Sequence, residues 1–195
     1  MGAPLPTRFY DRDTELVARE LLGAVLICET DHGVASGRIV ETEAYLGAHD
    51  PACHAVAGRT RRTWWLFGPP GIAYVYRIYG AHWCFNAVTR EDGHGSAVLV
   101  RAVEPLAGID LMRSRRLRAR RDEDLSSGPG RVCEALGVSG LHDGLSLQSS
   151  AVRIVRGTAV PDNRVTVTPR IGITRAADCP LRWLVADSPY VSRFR

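Results

Sequence analysis

The hydrophobic pattern near the amino end predicts one helix. Four apolar residues recur there at helical spacing: Leu16, Val17, Leu21 and Leu22. Asp13 precedes them in the position of an N-cap, and Gly23 follows them as a stop signal. We therefore expect a helix that is capped by Asp13 and extends through Leu22.

The rest of the pattern is mainly that of strands. The first two are predicted at 24–29 and 36–46, joined through the turn signal Asp31-His32-Gly33. Later strands are predicted at 96–104, 151–156, 165–173 and 181–186, with helices beginning near Leu106 and spanning about 130–136. Strands joined by short turns favour antiparallel pairing. The prediction is one α+β domain over residues 1–195, with a largely antiparallel mixed sheet, flanking helices and a protruding β-hairpin.

Two segments carry most of the candidate chemistry. In RIVETEAYLG, residues 38–47, strand alternation puts Glu41, Glu43 and Tyr45 on one face. In GPPGIAYVYRIYGAHWCFN, residues 68–86, the same alternation puts Tyr74 and Tyr76 on one face of a hairpin strand. Two carboxylates and several aromatic rings are thus available to one pocket.

Tyr79 belongs to the other face of that strand and is followed by Gly80. Glycine accepts the positive φ angles of tight turns, so Tyr79 is expected near the tip of the hairpin. A large ring at the tip of a hairpin is either exposed because it has a function there, or it packs under a neighbouring loop and has a structural role.

Composition adds few constraints. A chain of 195 residues with 45% hydrophobic content fits one domain, and a net charge of +4 permits a polyanionic partner without requiring one. No apolar run approaches the roughly 20 residues needed to span a bilayer, and the first residues lack the pattern of a secretion signal. We expect no membrane association and a cytoplasmic location, beside the nucleoid if the protein is bacterial.

The five cysteines do not indicate a disulfide framework or a metal site. They are scattered, odd in number and never at C-x-x-C spacing, so we expect them to be small buried residues: Cys28, Cys53, Cys84, Cys133 and Cys179. Cys53 and His54 are adjacent, but neighbouring residues rarely ligate one ion well. No metal and no other cofactor is expected.

All 25 of the basic Lys and Arg residues are arginines. A Schiff base with a carbonyl group requires an amine, usually that of a lysine, and an arginine does not lose its proton near neutral pH. Apart from the terminal amine, the chain therefore offers no such nucleophile.

The ordered motifs resemble those of the alkyladenine (3-methyladenine) DNA glycosylase family, which consists of monofunctional enzymes that excise damaged purines. The matching segments run almost from end to end: TRFYDRDTELVARELLG at 7–23, RIVETEAYLG at 38–47, His54, FGPPGIAYVYRIYG at 67–80, CFN at 84–86, VLVRAVEPL at 98–106, SGPGRVCEALGV at 127–138 and SPYVS at 188–192. The resemblance implies a partner, double-stranded DNA containing damaged purines, and a protein that acts as a monomer.

The resemblance also implies roles for individual residues. Glu43 would activate a water, Arg101 would orient Glu43 and the water, and His54 would share that water. Tyr45 and Tyr76 would sandwich the base with help from His54, while Tyr74 would mainly pack. Asn86 would reject the exocyclic amine of guanine. Tyr79 would fill the gap that a flipped nucleotide leaves when the hairpin enters the minor groove.

Other interpretations remain open. Arg101 is also suited to a structural ion pair, and Glu41 to the role of a structural partner. The run at 113–121 either grips phosphates or is a solvated face balanced by neighbouring acids. Thr60-Arg61-Arg62-Thr63-Trp64-Trp65 departs from the family's usual pattern, which often has an Asn here. A non-catalytic module that binds damaged DNA is the alternative function, and a hydrolase of free nucleosides fits less well because such an enzyme has no stack for Tyr79 to enter.

Overall fold

The computed structural model describes residues 2–78 and 80–192. Its strands are β1 Val25–Thr30, β2 Gly33–Tyr45, β3 Ala73–Ile78, β4 His82–Thr89, β5 Ser96–Ala107, β6 Val152–Val155, β7 Val165–Thr168 and β8 Arg182–Val185. Its α-helices are α1 Thr7–Tyr10, α2 Thr14–Glu20, α3 Ile109–Arg115 and α4 Pro129–Leu136. Short 3-10 helices span His54–Ala57, Trp64–Phe67, Asp122–Asp124, Gly140–His142 and Asp162–Arg164.

The strands form one sheet, and every pairing described in residues 2–78 and 80–192 is antiparallel. The order along the sheet is β3-β4-β5-β2-β1-β6, with β8 paired to both β2 and β7. The predicted α+β class and the largely antiparallel sheet are confirmed.

Strand β2 lies at the centre of this sheet. Its first half pairs with β1, its second half pairs with β8, and β5 runs along most of its length. The register with β5 shifts on both sides of Glu41, which indicates a β-bulge. Because β2 is hydrogen-bonded to a neighbouring strand on each side, its backbone can move little, and the side chains of this part of β2 have fixed positions.

Two apolar clusters cover the sheet. The larger one packs α2 and α4 against the sheet, with residues such as Val17, Leu26, Phe85 and Leu136 fully buried. The smaller cluster lies beside the β3–β4 hairpin and includes Cys53, Leu66 and Tyr74, with Tyr45 and Tyr76 packed against it. The alternation of β3 explains this division, since Val75 joins the larger cluster while Tyr74 and Tyr76 face the smaller one.

Local signals located several elements correctly. Asp13 caps α2 by accepting hydrogen bonds from the amides of Glu15 and Leu16 at 3.0 and 3.2 Å. Residues 31 and 32 form the turn between β1 and β2, as predicted. The tyrosine hairpin is also present, and Gly80 adopts the expected positive φ of 68°. Tyr79 lies outside the described residues, so its placement at the tip stays a prediction.

Three local expectations were wrong. Strand β5 continues through Ala107 and pairs with Ser36, so the helix predicted near Leu106 begins only at Ile109. Strand β7 ends at Thr168 rather than 173, because Pro169 has no amide for the ladder and the next residues turn towards β2. Cys179 is exposed, unlike the other four cysteines, because its segment lies outside the sheet.

Most arginines of the run at 113–121 form ion pairs or hydrogen bonds with other residues of the protein. Three of its arginines pair with nearby carboxylates: Arg113 with Asp110 and Asp122, Arg116 with Glu134, and Arg121 with Glu123 and Asp124. Arg115 donates to the Ala135 carbonyl at 3.1 Å and to the Thr30 hydroxyl at 2.9 Å. Of the two interpretations left open by the sequence, these contacts support a charge-balanced surface.

Candidate active site

A cavity of about 340 Å³ opens beside the β3–β4 hairpin. It is bounded by the smaller apolar cluster, the ends of β2 and β5, and residues 171–173. Five of the predicted site residues line it: Tyr45, His54, Tyr76, Asn86 and Arg101. Glu43 lies directly behind this wall, bonded to Tyr45 and Arg101. Tyr79 is not among the described residues.

The Glu43 carboxylate is buried and held by three donors. Its Oε2 accepts hydrogen bonds from the Tyr45 hydroxyl at 3.0 Å and from Arg101 Nη1 at 3.2 Å. Its Oε1 accepts from the amide of Ile171 at 2.7 Å. A carboxylate has about four lone-pair sites, so roughly one is left for a further donor such as a water.

The surroundings of Glu43 make it a stronger base than an exposed carboxylate. Burial raises its pKa above the ordinary value, and Arg101, the Ile171 amide and the Tyr45 hydroxyl oppose that rise without cancelling it. Arg101 therefore favours the ionised form of Glu43, but the effect of burial is larger. Burial and the neighbouring Glu43 also raise the pKa of Tyr45 well above its usual value, so its hydroxyl stays protonated as a donor.

Glu41, two residues before Glu43 on the same strand, is held by a second set of donors and shares only Arg101 with Glu43. Its Oε1 accepts from Arg101 Nε at 3.1 Å, from Arg182 Nε at 2.6 Å and from the Ser192 hydroxyl at 2.7 Å, while Oε2 accepts from the Ser192 amide at 2.6 Å. Arg101 thus bridges the two carboxylates, with one edge of the guanidinium on each. This geometry makes Glu41 a structural partner that fixes Arg101 in front of Glu43.

Three aromatic rings form one wall of the cavity. His54 meets Tyr76 edge to face at a centroid distance of 4.5 Å, and Tyr74 lies 5.2 Å from Tyr76. His54 Nδ1 is 2.9 Å from the Tyr74 hydroxyl, so Tyr74 orients His54 as well as packing. Burial and the nearby charge of Arg62 lower the pKa of His54, which favours a neutral imidazole at pH 7.

Asn86 is buried on β4, opposite Tyr74 of the neighbouring strand. Its Nδ2 donates to the Tyr74 carbonyl at 3.0 Å, which fixes the plane of the side-chain amide. The rest of the amide is available to the cavity.

A second buried ion pair lies beneath Tyr45, and no sequence pattern predicted it. Arg170 contacts both oxygens of Asp50, at 2.5 and 2.9 Å, and also donates to the Ala44 carbonyl at 2.9 Å. Its guanidinium lies 4.8 Å from the centroid of the Tyr45 ring. Asp50 in turn accepts from the amides of Leu46 and Ala52. The pair therefore joins the loop before His54 to the segment that presents the Ile171 amide.

Neither a metal centre nor a membrane span is found within the described residues 2–78 and 80–192. In this part of the chain no group of three or more His, Cys, Asp or Glu side chains is arranged to hold a metal ion. No helix there is both long and apolar enough to cross a bilayer.

Comparison with known proteins gives this cavity its family context. The family model described as methylpurine-DNA glycosylase (MPG) matches residues 8–189. Relatives named "Putative 3-methyladenine DNA glycosylase" include one from Koribacter versatilis, 50% identical over 97% of this chain and 93% of its own length. The relative from Methanoculleus marisnigri is 49% identical over 97% and 98% of the two chains, and that from Nitrosospira multiformis is 51% identical over 99% and 96%. The chain belongs to the methylpurine-DNA glycosylase family.

Proposed function

We propose that this protein removes damaged purines from double-stranded DNA by hydrolysing their N-glycosidic bond, leaving an abasic site. The observation that carries the proposal is the buried Glu43, bonded to Arg101, Tyr45 and Ile171 at the back of an aromatic cavity. The cavity volume of about 340 Å³ lies in the range typical of small-molecule sites, about 300–1,000 Å³. A base inside a duplex cannot reach such a site, so the nucleotide must first be flipped out.

The aromatic walls are suited to a flipped purine. Tyr45 and Tyr76 would cover its two faces, with His54 at an edge, and stacking on aromatic rings contributes roughly 1–3 kcal/mol per base. Methylation at a ring nitrogen, as in 3-methyladenine or 7-methylguanine, makes the purine cationic, and electron-rich rings attract cations. Neutral hypoxanthine and ethenoadenine would bind through stacking alone.

Asn86 would supply discrimination against normal guanine. Its amide plane is fixed by the bond to the Tyr74 carbonyl, so it cannot turn away from an incoming base without losing that bond. A rigid group at this position would clash with the exocyclic amine of guanine, which is a penalty against the wrong ligand rather than a gain for the right one. 7-Methylguanine carries the same amine, and its cationic ring, which leaves the sugar more readily, would offset this penalty.

The chemical step would use one water. The water oxygen bonds to C1′ of the sugar while the C1′–N bond breaks and its electron pair leaves with the base. A cationic methylpurine becomes neutral in this way, whereas a neutral purine leaves as an anion and takes up a proton from the solvent. Glu43 accepts the proton of the water and stabilises the positive charge that develops on the sugar. Arg101 holds the carboxylate in place, and neutral His54 can accept a hydrogen bond from the same water. Tyr79 would occupy the gap in the duplex during this step.

The alternative is a module that binds damaged DNA without cutting the glycosidic bond. Duplexes carrying 3-methyladenine, 7-methylguanine, hypoxanthine or ethenoadenine, with an undamaged duplex and free nucleosides as controls, separate these functions. We expect release of the free base from at least one damaged duplex, and slow or absent release from the controls. Tight binding to damaged DNA with no base release would favour the non-catalytic module.

The absence of lysine leads to a prediction about the product. Because water rather than an amine attacks, the DNA strand should stay intact until it is treated with alkali or heat. Borohydride, which reduces Schiff bases, should trap no enzyme–DNA complex during turnover. The matched control is the same protein with its terminal amine blocked, since α-amino groups in general titrate at about 7.7–8.0 and can form Schiff bases. A trapped complex that is lost on blocking would refute the water mechanism.

A further inference from the structure

The 3-10 helix Trp64–Phe67 presents two tryptophans to solvent beside the cavity. Trp64 is 52% exposed and Trp65 is 39% exposed. The next residue, Leu66, is buried and lines the cavity. Large aromatic residues contribute most when buried, so two adjacent exposed ones need a reason.

Trp64 is held in place rather than free to move. The guanidinium of Arg59 lies 5.0 Å from its ring centroid and 5.8 Å from that of Phe67, and Arg59 also donates to the Phe67 carbonyl. The preceding loop is tied by the Thr63 hydroxyl, which donates to the Gly58 carbonyl at 2.8 Å. An aromatic surface that is already ordered loses little entropy when it binds a ligand.

Trp65 is fixed by a different contact. It packs against Gly144 so closely that a Cβ on that glycine would lie 2.4 Å from the indole. We call Arg59, Trp64 and Trp65 the tryptophan platform. The platform is joined to the cavity wall by Leu66 and by Arg62, whose guanidinium lies 5.5 Å from the Tyr76 ring centroid.

The charge of this region indicates an anionic partner. Between Asp50 and Glu91 the sequence has five arginines and no acidic residue, although the chain as a whole contains 21 acidic residues. The platform, the hairpin and His54 all lie within this stretch. Aromatic rings interleaved with arginines are the usual surface for single-stranded or splayed nucleotides, since rings stack on bases and guanidinium groups attract phosphates.

We propose that the tryptophan platform binds the lesion strand next to the flipped nucleotide, with Trp64 stacking on a neighbouring base that the flip has unstacked. The exposed side chains of Arg59 and Arg61 would face the phosphates. This inference rests on the proposed function and extends it, because it assigns a DNA contact outside the cavity. Flipping one nucleotide leaves its neighbours partly unstacked. Stacking on Trp64 would recover part of the stacking free energy that is lost in this way.

Trp64→Ala tests the platform, with binding measured in the Glu43→Gln background by fluorescence anisotropy on a damaged duplex. The dissociation constant should rise by roughly 5- to 150-fold, the range expected for one stacked base. Trp64→Phe should restore much of the affinity. Val34→Ala is the control, because this apolar position is 40% exposed and lies outside both residues 51–90 and the arginine-rich run at 113–121; it should bind as the parent does.

Two further measurements separate the platform from the cavity. Inhibition of excision by the free damaged base should be the same in Trp64→Ala and in the wild type, because that base occupies only the cavity. The second measurement uses duplexes that are shortened on one side of the lesion or on the other. On one of these two duplexes, Trp64→Ala and its parent should have the same dissociation constant, because the contact with the platform has been removed. Binding of Trp64→Ala within twofold of the parent, or equally weakened inhibition by the free base, would refute the platform. Excision by the wild-type enzyme tests the proposed function separately.

Discussion

Glu43→Gln should still bind damaged duplex DNA, but its rate of base excision should fall by about 10²–10⁴-fold, the usual contribution of a general base. The amide has nearly the shape of the carboxylate and cannot accept the proton of the attacking water. Arg101 and Tyr45 donate to one oxygen and Ile171 to the other, so either orientation of the new amide loses a bond. Single-turnover excision and the dissociation constant for a damaged duplex are the two measurements, with a melting curve to verify folding.

Glu41→Gln is the matched control for this experiment. Glu41 is two residues away, equally buried and bonded to the same arginine. Its other partners are Arg182 and Ser192, so its loss should lower thermal stability more than it lowers excision. Equal losses of excision in the two variants would contradict the assignment of the base to Glu43, and excision by Glu43→Gln at the wild-type rate would refute the mechanism.

Arg170→Met should destabilise the protein by about 3–5 kcal/mol, because it leaves the Asp50 carboxylate buried without its partner. The side chains of the pair are 0% and 3% exposed, so water cannot replace the lost contacts. Excision should also fall, since the Tyr45 ring loses the guanidinium packed against it and Ile171, which donates to Glu43, follows directly in the chain. Urea unfolding monitored by tryptophan fluorescence measures the free energy of unfolding.

Two comparisons make the Arg170 result interpretable. Arg170→Met combined with Asp50→Asn removes both charges and should recover much of the lost stability, since no unpaired ion remains in the interior. Arg113→Met removes an arginine whose ion pairs are exposed, and such pairs contribute little. If Arg170→Met were no less stable than Arg113→Met, the buried pair would have no structural role.

Features that depend on neighbouring residues were predictable from the sequence. The Asp13 cap, the turn at residues 31 and 32 and the division of faces along β3 each follow from spacing over a few positions. The alternation of β2 likewise brought Glu43 and Tyr45 together, and the structure joins them by a hydrogen bond. The assignment of their catalytic roles came from the family resemblance and stays a prediction.

The remaining parts of the site depend on contacts that no local pattern encodes. Arg170 is 120 residues from Asp50, and Ile171 is 128 residues from Glu43. The Ile171 donor is a backbone amide, so its side chain carries no signal of the contact. The exposed Cys179 and the early end of β7 reflect the same difficulty, because tertiary contacts decide where a strand-like sequence leaves the sheet.

Glu43 lies in the middle of the sheet, so substitutions there have different structural consequences from substitutions at the rim of the cavity. Strand β2 is paired on both sides at this point, so a change that displaces Glu43 disrupts the central strands as well. His54 and Ile171, in contrast, lie on connecting segments, which tolerate insertions and substitutions more readily. The rim of the cavity can therefore change with little effect on the sheet, whereas a change at Glu43 has to be accommodated by three paired strands.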